Sequence, residues 1–126
     1  MVRGVGIDVV EIDRIKNLIN KYGNHFCEKV FTPREISYCN EKAFPEIHFS
    51  GRWAVKEAFY KALPSFIQPF STWKSIEIVS ETIGEKPEIC ILSTELKENL
   101  HKENISSILH SISHERSICT AIVLIE

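Results

Sequence analysis

Two carboxylates and a lysine carry the chemical interest of this sequence. Asp8 stands in the middle of Val2 to Ile12 (Val-Arg-Gly-Val-Gly-Ile-Asp-Val-Val-Glu-Ile), a β-branched, apolar run that reads as a strand at least half buried. Aspartate is depleted in strands, and a buried carboxylate without a partner is costly. With Ile7, Val9 and Val10 around it, a bound cation would account for its being there. Gly4 and Gly6 just before it permit close backbone approach by a ligand, or a bend in the strand. The second carboxylate is Glu57, with Lys61 four residues on, in Phe49-Ser50-Gly51-Arg52-Trp53-Ala54-Val55-Lys56-Glu57-Ala58-Phe59-Tyr60-Lys61-Ala62-Leu63. Taken alone, the pairs Arg52/Lys56 and Glu57/Lys61 describe a solvated helix face, since Glu four residues before Lys is the favourable order and stabilises by only about 0.2–0.5 kcal/mol. Joined to Asp8, Glu57 becomes the second acidic group that a sharper reading needs.

The elements that must position these groups are legible from periodicity and punctuation. The Glu57 stretch reads as a helix with Ser50 as N-cap, an apolar stripe of Ala54, Val55, Ala58, Phe59 and Ala62, and Pro64 as its stop. Asp13 caps an earlier helix, Arg14 to Tyr22, which ends at Gly23-Asn24. Thr32, Pro33 and Glu35 spell a capping box, and the helix behind it runs to about Glu41 before Ala43-Phe44-Pro45 breaks it. Ser65 to Thr72 is a loop whose apolar Phe66, Ile67 and Phe70 call for a packing partner. Ile76–Val79 and Glu88–Ser93 make a hairpin around Gly84-Glu85-Lys86-Pro87. Ser93 or Thr94 caps a short helix through about Lys102. Ser106–Ser113 and Ser117–Ile125 are strands joined by a turn at His114-Glu115-Arg116. The pattern is that of one compact α+β domain, with a mainly antiparallel sheet and a central helix.

Composition bounds the rest. A chain of 126 residues, 44% hydrophobic and 25% charged, suits one ordinary globular domain with a real core. A net charge of -2 argues against a general nucleic-acid binder. The charge is uneven: residues 1–63 hold 10 Lys+Arg against 8 Asp+Glu, and residues 64–126 hold 5 against 9, so an acidic partner would meet the N-terminal half. Cys27, Cys39, Cys90 and Cys119 have neither metal-site nor redox-motif spacing and read as reduced thiols. No apolar run approaches the roughly 18 residues of a membrane span, and no secretory leader is visible, so a cytoplasmic protein is expected.

Gly6-Ile7-Asp8, a 44-residue gap, and Trp53-Ala54-Val55-Lys56-Glu57-Ala58-Phe59-Tyr60-Lys61 resemble the signature of the 4′-phosphopantetheinyl transferase superfamily, in its single-domain bacterial branch. Arg14-Ile15, Phe31-Thr32 with Glu35, Gly51-Arg52, Ile76-Glu77-Ile78, Lys86-Pro87, Ser111-Ile112-Ser113-His114 and Ala121 to Glu126 follow in the family's order, so the resemblance spans essentially the whole chain. Two stretches depart from it. Leu63-Pro64-Ser65-Phe66-Ile67 lacks the family's loop glycines, and the usual Gly-Lys-Pro turn is Glu85-Lys86-Pro87. No backbone contact to cofactor is carried over at either place.

The resemblance implies transfer of phosphopantetheine from coenzyme A to a serine of apo acyl carrier protein, in support of fatty acid biosynthesis, with adenosine 3′,5′-bisphosphate released. That chemistry needs a divalent cation on the phosphate oxygens, a positive group near the leaving phosphate, and an acceptor for the serine proton. By resemblance, Asp8 and Glu57 hold Mg2+, and Lys61 acts with them as a catalytic residue at the phosphates. Arg52, Lys61, Lys86, Pro87 and His114 would bind coenzyme A. Arg14 would meet the acidic face of the carrier protein, and the enzyme would be a homotrimer with sites between subunits. No nucleic acid and no membrane are expected as partners. Two rivals stand beside this reading: an inactive interaction module with an altered Pro64-Ser65-Phe66 loop, and a metal-dependent phosphohydrolase using the same acidic pair. Lys56 has no role that the sequence argues for.

Overall fold

Along β1 (Gly4–Glu11) every second residue turns inward, and the inward set is Gly4, Gly6, Asp8 and Val10 rather than the valines between them. This follows from the period of two in a strand. It corrects one expectation: Ile7 and Val9 do not wrap Asp8 but lie on the opposite face, 60% and 63% exposed. The computed structural model describes residues 1–67, 72–80 and 86–126. After β1 come α1 (Ile12–Tyr22), α2 (Asn24–Val30), α3 (Pro33–Asn40) and α4 (Pro45–Ala62). A 3-10 turn (Trp73–Ser75), β2 (Ile76–Val79), β3 (Glu88–Ile91), α5 (Thr94–Lys102), β4 (Ile108–Glu115) and β5 (Ile118–Ile125) complete the order.

Strands β1, β5 and β4 form one antiparallel sheet in that spatial order, and β2 pairs with β3 in a separate antiparallel hairpin. Its register sets Asp8 opposite Ala121, and Cys119 opposite both Val10 and His114. The helix α4 lies over the inner face, packed along β1 and β5. A Cβ added at Gly6 would collide with the carbonyl oxygen of Ala58, and one at Gly4 with that of Ala62. The close approach allowed by these glycines is therefore taken by the helix backbone itself. The expected stripe of Ala54, Val55, Ala58, Phe59 and Ala62 is buried throughout and joins Phe31, Phe49, Ile76, Ile78, Val123 and Ile125 in the core. The outer face of the sheet is apolar and open: Val5, Ile7, Val9, Leu109, Ile118 and Ile122 are all exposed.

Helix boundaries differ from expectation in instructive ways. The N-cap of α1 is Glu11, without a side-chain bond; Asp13 lies inside the first turn, where its charge suits the positive end of the helix dipole. The seven-residue α2 was not anticipated. Both halves of the α3 capping box are present, with Thr32 N donating to Glu35 Oε1 at 2.9 Å and Glu35 N to Thr32 Oγ1 at 3.3 Å. Pro45 starts α4 at its first position instead of ending the helix before it. Ser50 is thus internal, its hydroxyl donating to the Glu46 carbonyl at 2.6 Å, and is not a cap. Leu63 is extended, as the residue before Pro64 must be, and closes the helix. Ile67 is buried while Phe66 is exposed. The expectations for Phe70 and for the turn at Gly84-Glu85 lie outside the described residues.

The polar residues of α4 are not a solvated face. Lys56 is fully buried, its Nζ 2.8 Å from Glu35 Oε1 and bonded to the carbonyls of Val30, Trp73 and Ile76 at 2.9, 2.8 and 2.9 Å. Glu35 Oε2 accepts from Ile78 N at 3.0 Å, and Thr32 Oγ1 donates to Glu77 Oε2 at 2.5 Å. One ammonium therefore ties α2, α3, the 3-10 turn and β2 to the central helix.

Candidate active site

Asp8 enters the site because an inward strand position opposite α4 meets the face of the helix that carries Glu57 and Lys61. Lys61 Nζ lies 2.9 Å from Asp8 Oδ1 and also donates to the Ile7 carbonyl at 3.1 Å. The Thr120 hydroxyl donates to the Asp8 carbonyl at 2.9 Å, adding a side-chain tie to the β1–β5 ladder. Asp8 is only 6% exposed, and its Oδ2 is buried without a hydrogen-bond partner. Glu57 stands beside it, half-buried. Burial first, and then the Asp8 carboxylate, push the Glu57 carboxyl up to about 7, against the pull of Lys61 and Arg14. A crowded carboxylate pair with an unsatisfied oxygen is an arrangement that a hard cation relieves. Among the described residues no group of three or more His, Cys, Asp or Glu is placed to hold a metal, so Asp8 and Glu57 stand as a pair.

A second feature lies further along α4. Arg52, Pro87 and His114 line a cavity of about 370 Å³ together with Tyr38, Lys42 and His48. The Arg52 guanidinium sits 4.1 Å from the centre of the Tyr38 ring, and the Lys42 ammonium 4.4 Å from it. Such contacts hold a cation in place without cancelling its charge. Arg52 is 4% exposed; it donates to Ser80 Oγ at 3.4 Å, and its Nε has no partner. No Asp or Glu is among the described residues that line this cavity. His114 reaches it from β4, not from a turn as expected; the turn is at Arg116-Ser117, with Arg116 at a φ of 51°. Lys86 is exposed and is not among the lining residues, although Pro87 beside it is.

Arg14 lies on the exposed side of α1 and lines a shallow depression with Asn17, Leu18 and Lys21. It is close enough to the acidic pair to act electrostatically on Glu57. The structure thus brings Asp8, Glu57 and Lys61 together, with Arg14 at their border, and gathers Arg52, Pro87 and His114 around a separate cavity. Tyr38, Lys42 and His48 were missed by the sequence reading. Their signal was weak: Tyr38 and Lys42 are four apart at the end of a helix, which by itself describes any surface.

Residues 4–123 match the model of a family described as the 4′-phosphopantetheinyl transferase superfamily. The chain is 40% identical over 126 residues to a holo-[acyl-carrier-protein] synthase of Syntrophus aciditrophicus, covering 100% of this chain and 97% of that protein. It is 40% identical over 125 residues to the protein of the same name from Halothermothrix orenii, covering 98% and 97%. Among solved structures, the holo-[acyl-carrier-protein] synthase of Neisseria meningitidis superposes with a TM-score of 0.84 at 28% identity, covering 100% and 99% of the two chains. The Helicobacter pylori synthase in complex with coenzyme A superposes with a TM-score of 0.76 at 28% identity, covering 97% and 99%.

Proposed function

This chain belongs to the 4′-phosphopantetheinyl transferase superfamily, and on that premise we propose that it acts as a holo-[acyl-carrier-protein] synthase. It moves 4′-phosphopantetheine from coenzyme A to a serine of apo acyl carrier protein, in support of fatty acid biosynthesis, and releases adenosine 3′,5′-bisphosphate. The observation that carries this reading is the acidic pair, in which buried Asp8 keeps one oxygen on Lys61 and the other without a partner beside Glu57.

Asp8 and Glu57 are the residues that would hold magnesium, which takes one or two carboxylates and leaves its other positions to phosphate and water. When bound, that ion neutralises charge on the pyrophosphate oxygens. Lys61, bonded to Asp8, would stabilise the charge that develops on the leaving phosphate. In the step, the serine oxygen bonds to the phosphorus that carries pantetheine, the bond from that phosphorus to the bridging oxygen breaks, and the serine proton passes to a base or to water. The cavity at Arg52, Pro87 and His114 would take the 3′-phosphate end of coenzyme A, with Lys86 as a further cation nearby. Arginine suits this task because its planar fork donates bidentately.

Arg14 would steer the acidic face of the carrier protein toward the acidic pair that it borders. The apolar outer face of the sheet supports assembly into a homotrimer with sites between subunits, since a monomer would leave that face wet. Residues 1–126 work as one transferase domain in the cytoplasm, and no described helix is long and apolar enough to cross a membrane.

The test is intact-protein mass spectrometry of apo acyl carrier protein incubated with this protein, coenzyme A and Mg2+, beside an Asp8→Ala control. A gain of one phosphopantetheine that EDTA and the control both abolish is expected. No gain and no binding of coenzyme A would overturn the reading.

A further inference from the structure

A titratable ring stands among the cations of the cavity of about 370 Å³. His48 precedes Arg52 by one turn of α4 and lines the cavity with it. The groups that face it come from every neighbouring element. Arg52 lies on its own helix, Lys42 on the connection from α3, and His114 on β4; the Tyr38 ring of α3 meets it edge-on at 6.0 Å. All are cationic or neutral, and the described lining residues include no carboxylate to balance them. The buried Arg52 Nε without a partner is a second sign that an acceptor belongs here.

Resting on the reading that this cavity takes the 3′-phosphate end of coenzyme A, we propose that His48 is a further ligand-binding residue, which takes up a proton as the phosphate monoester enters. Binding then strengthens as pH falls through the imidazole range. Burial first, and then Arg52, Lys42 and His114, hold the ring below its ordinary value of 6.5, so it is mainly neutral at pH 7. A phosphate monoester brings about −1.5 to −2 charges at that pH. An opposite charge at roughly 4–6 Å moves a titrating group by about 1–3 units toward its charged form. Each unit is worth about tenfold in affinity once the ring can protonate. The same coupling favours ligands that carry the 3′-monoester over those that lack it.

The test is calorimetric titration of the full chain with adenosine 3′,5′-bisphosphate at pH 6, 7 and 8, in two buffers of different ionisation enthalpy, for the wild type and His48→Phe. Adenosine 5′-phosphate serves as the probe without the 3′ group. The free ligand's phosphate titration is common to both proteins, so the difference between them reports the ring together with the phosphate coupled to it. The wild type should take up roughly half a proton more at pH 7 than His48→Phe. It should also gain about 3–10-fold more affinity between pH 8 and pH 6, with neither difference for adenosine 5′-phosphate. The His48 ring resonances of the wild type, followed by NMR at pH 7, should move to protonated positions on adding the bisphosphate, which decides the matter even if the variant fails to fold. Equal proton uptake with unmoved ring signals overturns the role of His48 while leaving the cavity's ligand reading intact. Absence of binding overturns both.

Discussion

Replacing Lys56 with methionine tests whether one buried ion pair holds the scaffold that carries the acidic pair. Lys56 and Glu35 are both fully buried, 2.8 Å apart. Burial pulls the Lys56 ammonium below its ordinary value of 10.5, and Glu35 and then Glu77 pull it back. Lys56→Met leaves the Glu35 carboxylate buried without its cation, although Thr32 N and Ile78 N still donate to it. The loss is therefore one of charge compensation more than of hydrogen bonds to Glu35, and breaking a buried pair on one side costs about 3–5 kcal/mol. Against a total stability on the order of 5–15 kcal/mol this is a large fraction. Glu35→Gln should cost a similar amount, because it strands the ammonium instead. The double variant removes both charges, and should cost about 2–3 kcal/mol less than the sum of the singles. Urea unfolding at one fixed protein concentration, followed by the fluorescence of Trp53 and Trp73, measures this at the right place, since the two rings are 5.1 Å apart and Lys56 binds the Trp73 carbonyl. Singles that cost under about 1 kcal/mol, or costs that add within about 0.5 kcal/mol, would refute the reasoning.

Four further outcomes are expected. Gly6→Ala should destabilise the fold by about 1–3 kcal/mol and lower turnover, because the added methyl drives α4 away from β1 and Glu57 away from Asp8; urea midpoints and a transfer assay check both. In EDTA, stability should fall as pH rises from 4.5 to about 7, since the folded chain holds the Glu57 proton more tightly than the unfolded one; Glu57→Gln should flatten that slope in a series of unfolding midpoints. Arg14→Glu should lower kcat/KM for the carrier protein by roughly tenfold at low salt and by less at high salt, with the affinity for coenzyme A unchanged in calorimetry. Ile7→Lys should lower the mass seen by sedimentation, because it places a charge in the open apolar face.

What was legible in the sequence depended on local chemistry. Thr32-Pro33-Arg34-Glu35 announces a helix start by its own hydrogen bonds, and the structure has it. The alternation of β1 was equally plain, but alternation alone does not say which face is inside. The glycines decided it: only the face with Gly4 and Gly6 admits α4, so Asp8 went in and three apolar residues went out. Lys56 was opaque for a related reason. A lysine on a helix looks solvated until distant carbonyls, here from Val30, Trp73 and Ile76, converge on it. Pro45 could have ended one helix or begun the next, and residue types do not separate those cases. The acidic pair was named from residue type and the family resemblance, and the structure brings Asp8 beside Glu57. The lining of the cavity was not, because it draws on α3, α4, the residue after β2, the residue before β3, and β4 at once.

The strand that carries Asp8 has a single partner in the sheet, β5, and that partner lies far along the chain: Asp8 pairs with Ala121. A ribosome adding about 5–20 residues per second makes the first strand roughly 6–20 s before its complement exists. During that interval Val5, Ile7 and Val9 belong to an unpaired edge, the kind of segment to which chaperones bind and from which aggregates grow. Pairing of β1 with β5 therefore waits until residues 118–125 have been made. A chain made only through α4 holds both carboxylates but lacks the strand that fixes Asp8 in its register.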